Sequence, residues 1–167
     1  MIALKKLLVA TDFSEPSDAA LAYGRELARS FGAHLVALHV VDDVLMRAVG
    51  SDGFVFVDPE LQTSVETAAQ KQVDELFSDE DRTLLHAQGV TVTSNAPAFA
   101  IVEYAKSHDV NLIVMGTHGR GAMAHLLLGS VAERVVRIAP CPVLTVRQPE
   151  REFVVPDALI AVVNATR

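Results

Sequence analysis

Short, unbroken apolar runs recur along the chain: LLVAT at Leu7 to Thr11, HLVALHVV at His34 to Val41, VTVTS at Val90 to Ser94, NLIVMG at Asn111 to Gly116 and PVLTV at Pro142 to Val146. Runs this short and this apolar predict strands buried on both faces. Between them the apolar positions recur at helical spacing. In PSDAALAYGRELARSFG, Ala20, Gly24, Leu27, Ala28 and Phe31 share one face, and Gly32 stands where a helix would stop. From Glu60 to Gln88, the positions Leu61, Val65, Ala68, Gln72 and Leu76 keep that spacing after an Asp58-Pro59 start signal, with a break expected at Ser78 to Asp81. Further helices are predicted from Pro97 to His108, with Ile101, Val102 and Ala105 inward, and from Ser130 to Ile138, with Val131, Val135 and Ile138 inward. Strands apolar on both faces that alternate with helices predict an α/β fold: an open, doubly wound parallel sheet covered by helices on both sides.

Composition narrows the function classes. With 167 residues, half of them apolar, the chain suits one domain with a substantial core. A formal charge of -7 and a pI near 5.3 argue against nucleic acid as a partner, since such binding calls for a basic face. The single cysteine, Cys141, allows neither an intramolecular disulfide nor a cysteine metal cluster, which suits a reducing compartment. The start, MIALKKLLVATD, leaves no room for a signal-peptide core, and FVVPDALIAVV falls short of the roughly 20 residues that span a bilayer. The expectation is a cytoplasmic protein without membrane insertion. Two segments do not fit the strand-helix repeat. The connection from Val44 to Pro59 is long enough to suggest a functional loop over the site, and the tail from Gln148 to Arg167 follows the last strand of a domain expected to span 1–147.

The chemistry concentrates in GTHGRGAMAHLLLGS, Gly116 to Ser130, which follows the apolar run ending at Met115. Ligands of doubly wound sheets bind beyond the carboxyl ends of the strands, near the point where the strand order reverses. Glycines there let backbone N–H groups approach an anion, which fits Gly116 and Gly119. Gly129 and Ser130 open a helix whose free N–H groups and dipole favour a phosphate. The first strand runs into Asp12, whose carboxylate suits a pair of ribose hydroxyls.

These residues resemble the nucleotide-binding branch of the universal stress protein family, whose motif G-x2-G-x9-G-(S/T) is matched without a gap by Gly116, Gly119, Gly129 and Ser130. The likeness continues through VAERVVRIAPCPVLTV and covers KKLLVATDFSEPSDAALAYG and ALHVVD, so it extends from Lys5 to about Arg147. The resemblance implies a five-stranded sheet of order 3-2-1-4-5 and a homodimer joined along the last strand, Pro142 to Val146. It also implies an adenine-nucleotide site, with ATP as the ligand and magnesium left open. There Ala10, Thr11 and Asp12 meet the adenosine, Val40 or Val41 lines the adenine, and the glycine motif with Ser130 and Val131 holds the phosphates. Met115, His118 and Arg120 are neighbours of that site. The chain departs from the family at Asn95, where a glycine usually precedes the third helix.

Each feature also has a plain structural reading. Ser130 with Glu133 spells a capping box, Asp12 and Ser14 can begin the first helix, and Gly116 and Gly119 can be turn residues. His118 and His125 lack the spacing of a common zinc site, His34 and His39 read as strand packing residues, and Cys141 lacks a charged neighbour that would make it a thiolate. Three functions follow. The first is a regulatory ATP-binding module in stress or energy signalling, acting on an unidentified protein client. The second is a slow ATP hydrolase, disfavoured by the lack of a G-x-x-x-x-G-K-(S/T) loop and of a lysine in the glycine motif. The third is a dimeric interaction protein that needs no nucleotide.

Overall fold

The structure, a computed structural model, describes residues 2–44, 59–117 and 128–147. Along β1 (Lys6–Thr11), Leu7 and Val9 enter one apolar cluster while Leu8 and Ala10 enter another. The same alternation runs through β2 (His34–Val41), where Leu35 and Ala37 face one way and Val36 and Leu38 the other, and through β4 (Leu112–Gly116). Period-two geometry thus splits continuous apolar runs into two cores, one on each side of a sheet. With β3 (Gln88–Thr93) and β5 (Val143–Val146) the sheet has the order β3-β2-β1-β4-β5, and every pairing is parallel. The register sets Ala10 beside Leu38 and Met115, Thr11 beside His39, and Gly116 beside Val146. The doubly wound fold and its strand order are those expected.

One face is covered by α1 (Glu15–Phe31) and α2 (Pro59–Asp74), followed by the short α3 (Asp79–Leu84). The other is covered by α4 (Pro97–Ser107) and α5 (Ser130–Ile138). Helix α1 starts at Ser14 with Glu15 and Asp18 in its first turn. It ends where Gly32 turns left-handed at φ 62° and the Ala33 N–H donates to the Ala28 carbonyl at 2.9 Å. The expected break after α2 is a capping box: the Ser78 hydroxyl accepts from the Asp81 N–H and the Asp81 carboxylate from the Ser78 N–H.

Several predicted inward positions are corrected. In α1, Phe31 is exposed, and Ser17, Leu21 and Tyr23 join Ala20, Gly24 and Ala28 in the buried set. In α2 the buried face is Gln62, Ala69, Val73 and, past the helix end, Phe77, while Leu61, Ala68 and Gln72 are exposed. The true stripe lies one residue, about 100° of helical turn, from the predicted one. In α5, Ala132 is buried beside Val135 and Ile138 is exposed. Helix α4 buries Ile101, Val102 and Ala105 as expected, together with Ala98.

Candidate functional site

The parallel pairing brings the carboxyl ends of all five strands to one edge of the sheet. From β1 the chain crosses through α1 toward β2, whereas β4 leads through α5 to β5 on the opposite side, so the strand order reverses between β1 and β4. Most of the described candidate residues stand at this reversal, with Val40 and Val41 at the end of the adjoining β2.

Sheet parity sorts them. Ala10, Val40, Met115 and Val131 belong to a single apolar cluster on the α4–α5 side and form a shelf under the strand ends. Val41 is buried on the other side of the strand, so Val40 is the valine whose side chain reaches the shelf. Thr11 is also turned away. Its hydroxyl oxygen accepts from the Phe13 N–H at 3.0 Å and lies 3.1 Å from the Ser17 hydroxyl.

Asp12 is half-buried. One of its carboxylate oxygens, Oδ1, accepts from both the Ser14 N–H at 3.2 Å and the Ser14 hydroxyl at 2.5 Å, locking the turn into α1. That turn requires Phe13 to adopt φ 61°, unusual for a residue with a bulky side chain. The Phe13 ring rests on His39 at 4.4 Å between centroids, and the His39 Nδ1 lies 2.8 Å from the Thr11 carbonyl oxygen. His39 is therefore a packing residue that also steadies the exit of β1. The left-handed Phe13 has no signal in the sequence, because phenylalanine does not favour that conformation.

The two described parts of the glycine motif are stitched together. The Thr117 N–H donates to the Val146 carbonyl at 2.8 Å, and the Thr117 carbonyl accepts from the Gly129 N–H at 2.7 Å. The end of β4 and the start of α5 are thereby held side by side. Thr117 is buried, a structural residue that the motif had left as a variable position. Gly129 is the N-cap of α5 and Ser130 its first residue, exposed, so the expected capping box between Ser130 and Glu133 does not form. Instead Glu133 accepts from Arg137 at 2.8 and 3.2 Å, an i,i+4 pair that balances its charge. The helix start leaves the N–H groups of Ser130, Val131 and Ala132 without intrahelical acceptors. His118, Gly119, Arg120 and His125 lie outside the described residues, as do most of the Val44 to Pro59 connection and the tail from Gln148.

Gly116 has a reason of its own. A Cβ added there would lie 2.9 Å from Pro16 Cβ and 3.0 Å from the Pro16 carbonyl carbon and oxygen. The absent side chain admits the start of α1, which gives this position a packing reason to be glycine.

The rim is closed on the β2 side. Asn95, where the family usually has a glycine, does not adopt a left-handed backbone. Its amide clamps Asp43, accepting from the Asp43 N–H at 2.9 Å and donating to the Asp43 carbonyl at 3.2 Å, so the exits of β2 and β3 are bridged. The largely buried Gln62 accepts from the Val44 N–H at 2.9 Å and donates to Glu66 at 2.8 Å. Glu66 also accepts from the Thr93 hydroxyl, and these two hydrogen bonds, that of Thr93 foremost, hold its carboxyl below the usual range.

Elsewhere, a depression of about 700 Å³ runs along the outer side of α2, lined by Glu66, Gln70, Lys71, Asp74, Arg82 and Thr91. Gln70 is committed there to Asp74, Gly89 and Thr91, and the depression lies along edge strand β3 rather than at the β1–β4 reversal. Cys141 is half-buried and burial pushes its thiol up, away from thiolate chemistry. Among the described residues no helix is long and apolar enough to cross a membrane, and no group of three or more His, Cys, Asp or Glu side chains could hold a metal ion.

A universal stress protein MJ0531 from Methanocaldococcus jannaschii is 35% identical over 148 residues, covering 89% of this chain and 85% of the relative. The solved structure of hypothetical protein MJ0577 is 25% identical with a TM-score of 0.68, covering 90% of this chain and all of that one. A universal stress protein solved in complex with cAMP shares the fold at 23% identity and a TM-score of 0.60, covering 87% and 98% of the two chains. The family model for the universal stress proteins matches residues 3–147, and the chain belongs to that family.

Proposed function

We propose that this protein binds an adenine nucleotide, ATP, across the β1–β4 reversal and works as a regulatory module rather than as an enzyme. The observation that carries this reading is the stitch from Val146 through Thr117 to Gly129, which sets the exposed start of α5 against the end of β4. The shelf of Ala10, Val40, Met115 and Val131 offers an apolar surface for the base. Asp12 stands directly beyond the carboxyl end of β1, and its carboxylate suits ribose hydroxyls. The α5 start supplies N–H groups and the positive end of a helix dipole for phosphate, joined in the sequence by His118, Gly119 and Arg120. Charge supports the same orientation: Asp12, Asp42 and Asp43 crowd the exits of β1 and β2, so the phosphates belong at the α5 end. Magnesium would arrive on the phosphates.

The relative solved with cAMP carries an adenine nucleotide on this fold. At that level of identity the likeness is one of fold, and the ligand assignment here rests on the strand-end geometry. Hydrolysis needs groups that orient a water and offset charge in the transition state, and among the described residues the carboxylate in the first turn of α5, Glu133, is engaged by Arg137 while no lysine stands in the glycine motif. A regulatory role further requires ATP to favour one conformation or assembly over another, through which a protein client is signalled. We also propose a homodimer along β5, an edge strand by the sheet order.

Calorimetry with ATP, run beside a phosphate-release assay, tests the proposal. One nucleotide per chain is expected, bound roughly tenfold or more weakly by Asp12→Asn, which keeps the acceptor for Ser14 but loses the charge. Release of phosphate should stay far below about 1 per second. Rapid release would favour the hydrolase, and absent binding would favour the nucleotide-independent interaction protein.

A further inference from the structure

At the opposite end of the sheet, His34 and His86 meet. Both are exposed, and their rings lie 4.6 Å apart between centroids with their planes inclined by 40°. His34, read as a strand packing residue, packs on the His86 ring at the exposed start of the strand. It opens β2, and its N–H donates to the Lys5 carbonyl at 2.9 Å. The next residue, Leu35, donates to the carbonyl of Leu85 at 3.1 Å, tying β2 to the turn that carries His86. His86 is held there with φ 46°, a left-handed conformation that its neighbours must enforce. Two imidazoles are therefore fixed on adjacent, hydrogen-bonded backbones.

Their nitrogens are also available. The other described histidines spend Nδ1 on the backbone, His39 beside the Thr11 carbonyl and His108 beside that of Tyr104, whereas no hydrogen bond engages either ring of the pair among the described residues. Metal–nitrogen bonds of about 2.0 Å set two adjacent imidazoles on one ion with ring centres roughly 4.5–5 Å apart. The observed spacing falls in that range. We propose that His34 and His86 form a two-imidazole site for a borderline divalent transition-metal ion, clipping the start of β2 to the α3–β3 turn.

Imidazole suits copper, nickel and zinc, and copper binds such donors most strongly. The described residues offer no set of three protein donors, so water completes the coordination and the ion exchanges readily. Protons compete for the same nitrogens, and occupancy falls as the solution is acidified. The site is separate from the strand-end cleft, so it neither requires nor predicts nucleotide binding.

The test is a titration of the full chain with Cu2+, followed by calorimetry and electron paramagnetic resonance. Three variants accompany it: His34→Gln, His86→Asn and the control His108→Gln. Asparagine is chosen because it tolerates the left-handed backbone at position 86. The expected result is one ion per chain with an imidazole-nitrogen signature, weakened roughly tenfold or more in each of the first two variants and retained in the third. Absence of binding to the natural chain would overturn the site, as would unchanged affinity in either His34→Gln or His86→Asn with an unaltered circular dichroism spectrum.

Discussion

Gly116 has a packing reason to be glycine beside its place in the motif. It belongs to a motif that points to anions, yet the atoms a side chain would meet are those of Pro16, two of them in the backbone carbonyl. Gly116→Ala should therefore seat α1 poorly and destabilise the fold by about 1–3 kcal/mol, the usual cost of overpacking, as read by urea denaturation with and without ATP. Stability equal to that of the natural chain would contradict the close approach. The places of Asp12, Gly129 and Ser130 were legible because their signals are local: Asp12 directly follows a strand, and Gly129 and Ser130 open a helix. Phe13 and Thr117 were not, because one adopts a backbone its type disfavours and the other acts through its main chain.

At the scale of elements, strands and helix ends were legible and helix faces less so. Hydrophobic spacing in α2 supports two stripes one residue apart, and the chosen one contained Leu61, which is 49% exposed. The real stripe begins at Gln62, a polar residue buried because it satisfies the exit of β2 and bonds to Glu66. No single-helix periodicity reveals such a partner. The junction of α1 with the α2–α3 turn was equally hidden. There Asp81, whose side chain is only 6% exposed, meets Arg25 at 3.1 Å and Arg29 at 3.6 Å while closing its own capping box. Arg25 also donates to the Leu76 carbonyl and lies over the Phe77 ring. Asp81→Ala should cost about 2 kcal/mol, below the range for a fully buried pair because Arg25 is partly solvated. Thermal unfolding of the variant checks this, and a loss under about 0.5 kcal/mol, typical of surface substitutions, would mean that the junction is held by packing alone.

For the whole molecule, strand-helix alternation predicted the doubly wound sheet, and the strand order came from the family resemblance; both are observed. A parallel sheet of this order leaves β3 and β5 as edges. Edge β3 is overlaid by α2, whose Glu66 and Gln70 accept from the Thr93 and Thr91 hydroxyls. Edge β5 is short and apolar, so pairing with a second copy would remove an aggregation-prone surface. Sedimentation at micromolar concentration should show a dimer, and a monomer throughout would contradict β5 pairing. The proposed ATP site lies at the strand ends over the β1–β4 reversal. Amide chemical-shift mapping of the full chain during an ATP titration tests it most directly. The account predicts the largest shifts at Ala10 to Asp12, Val40, Met115 to Thr117 and Gly129 to Val131. Shifts centred instead on Glu66, Gln70 and Lys71 of the α2 depression, or no shifts at saturating ATP, would contradict it.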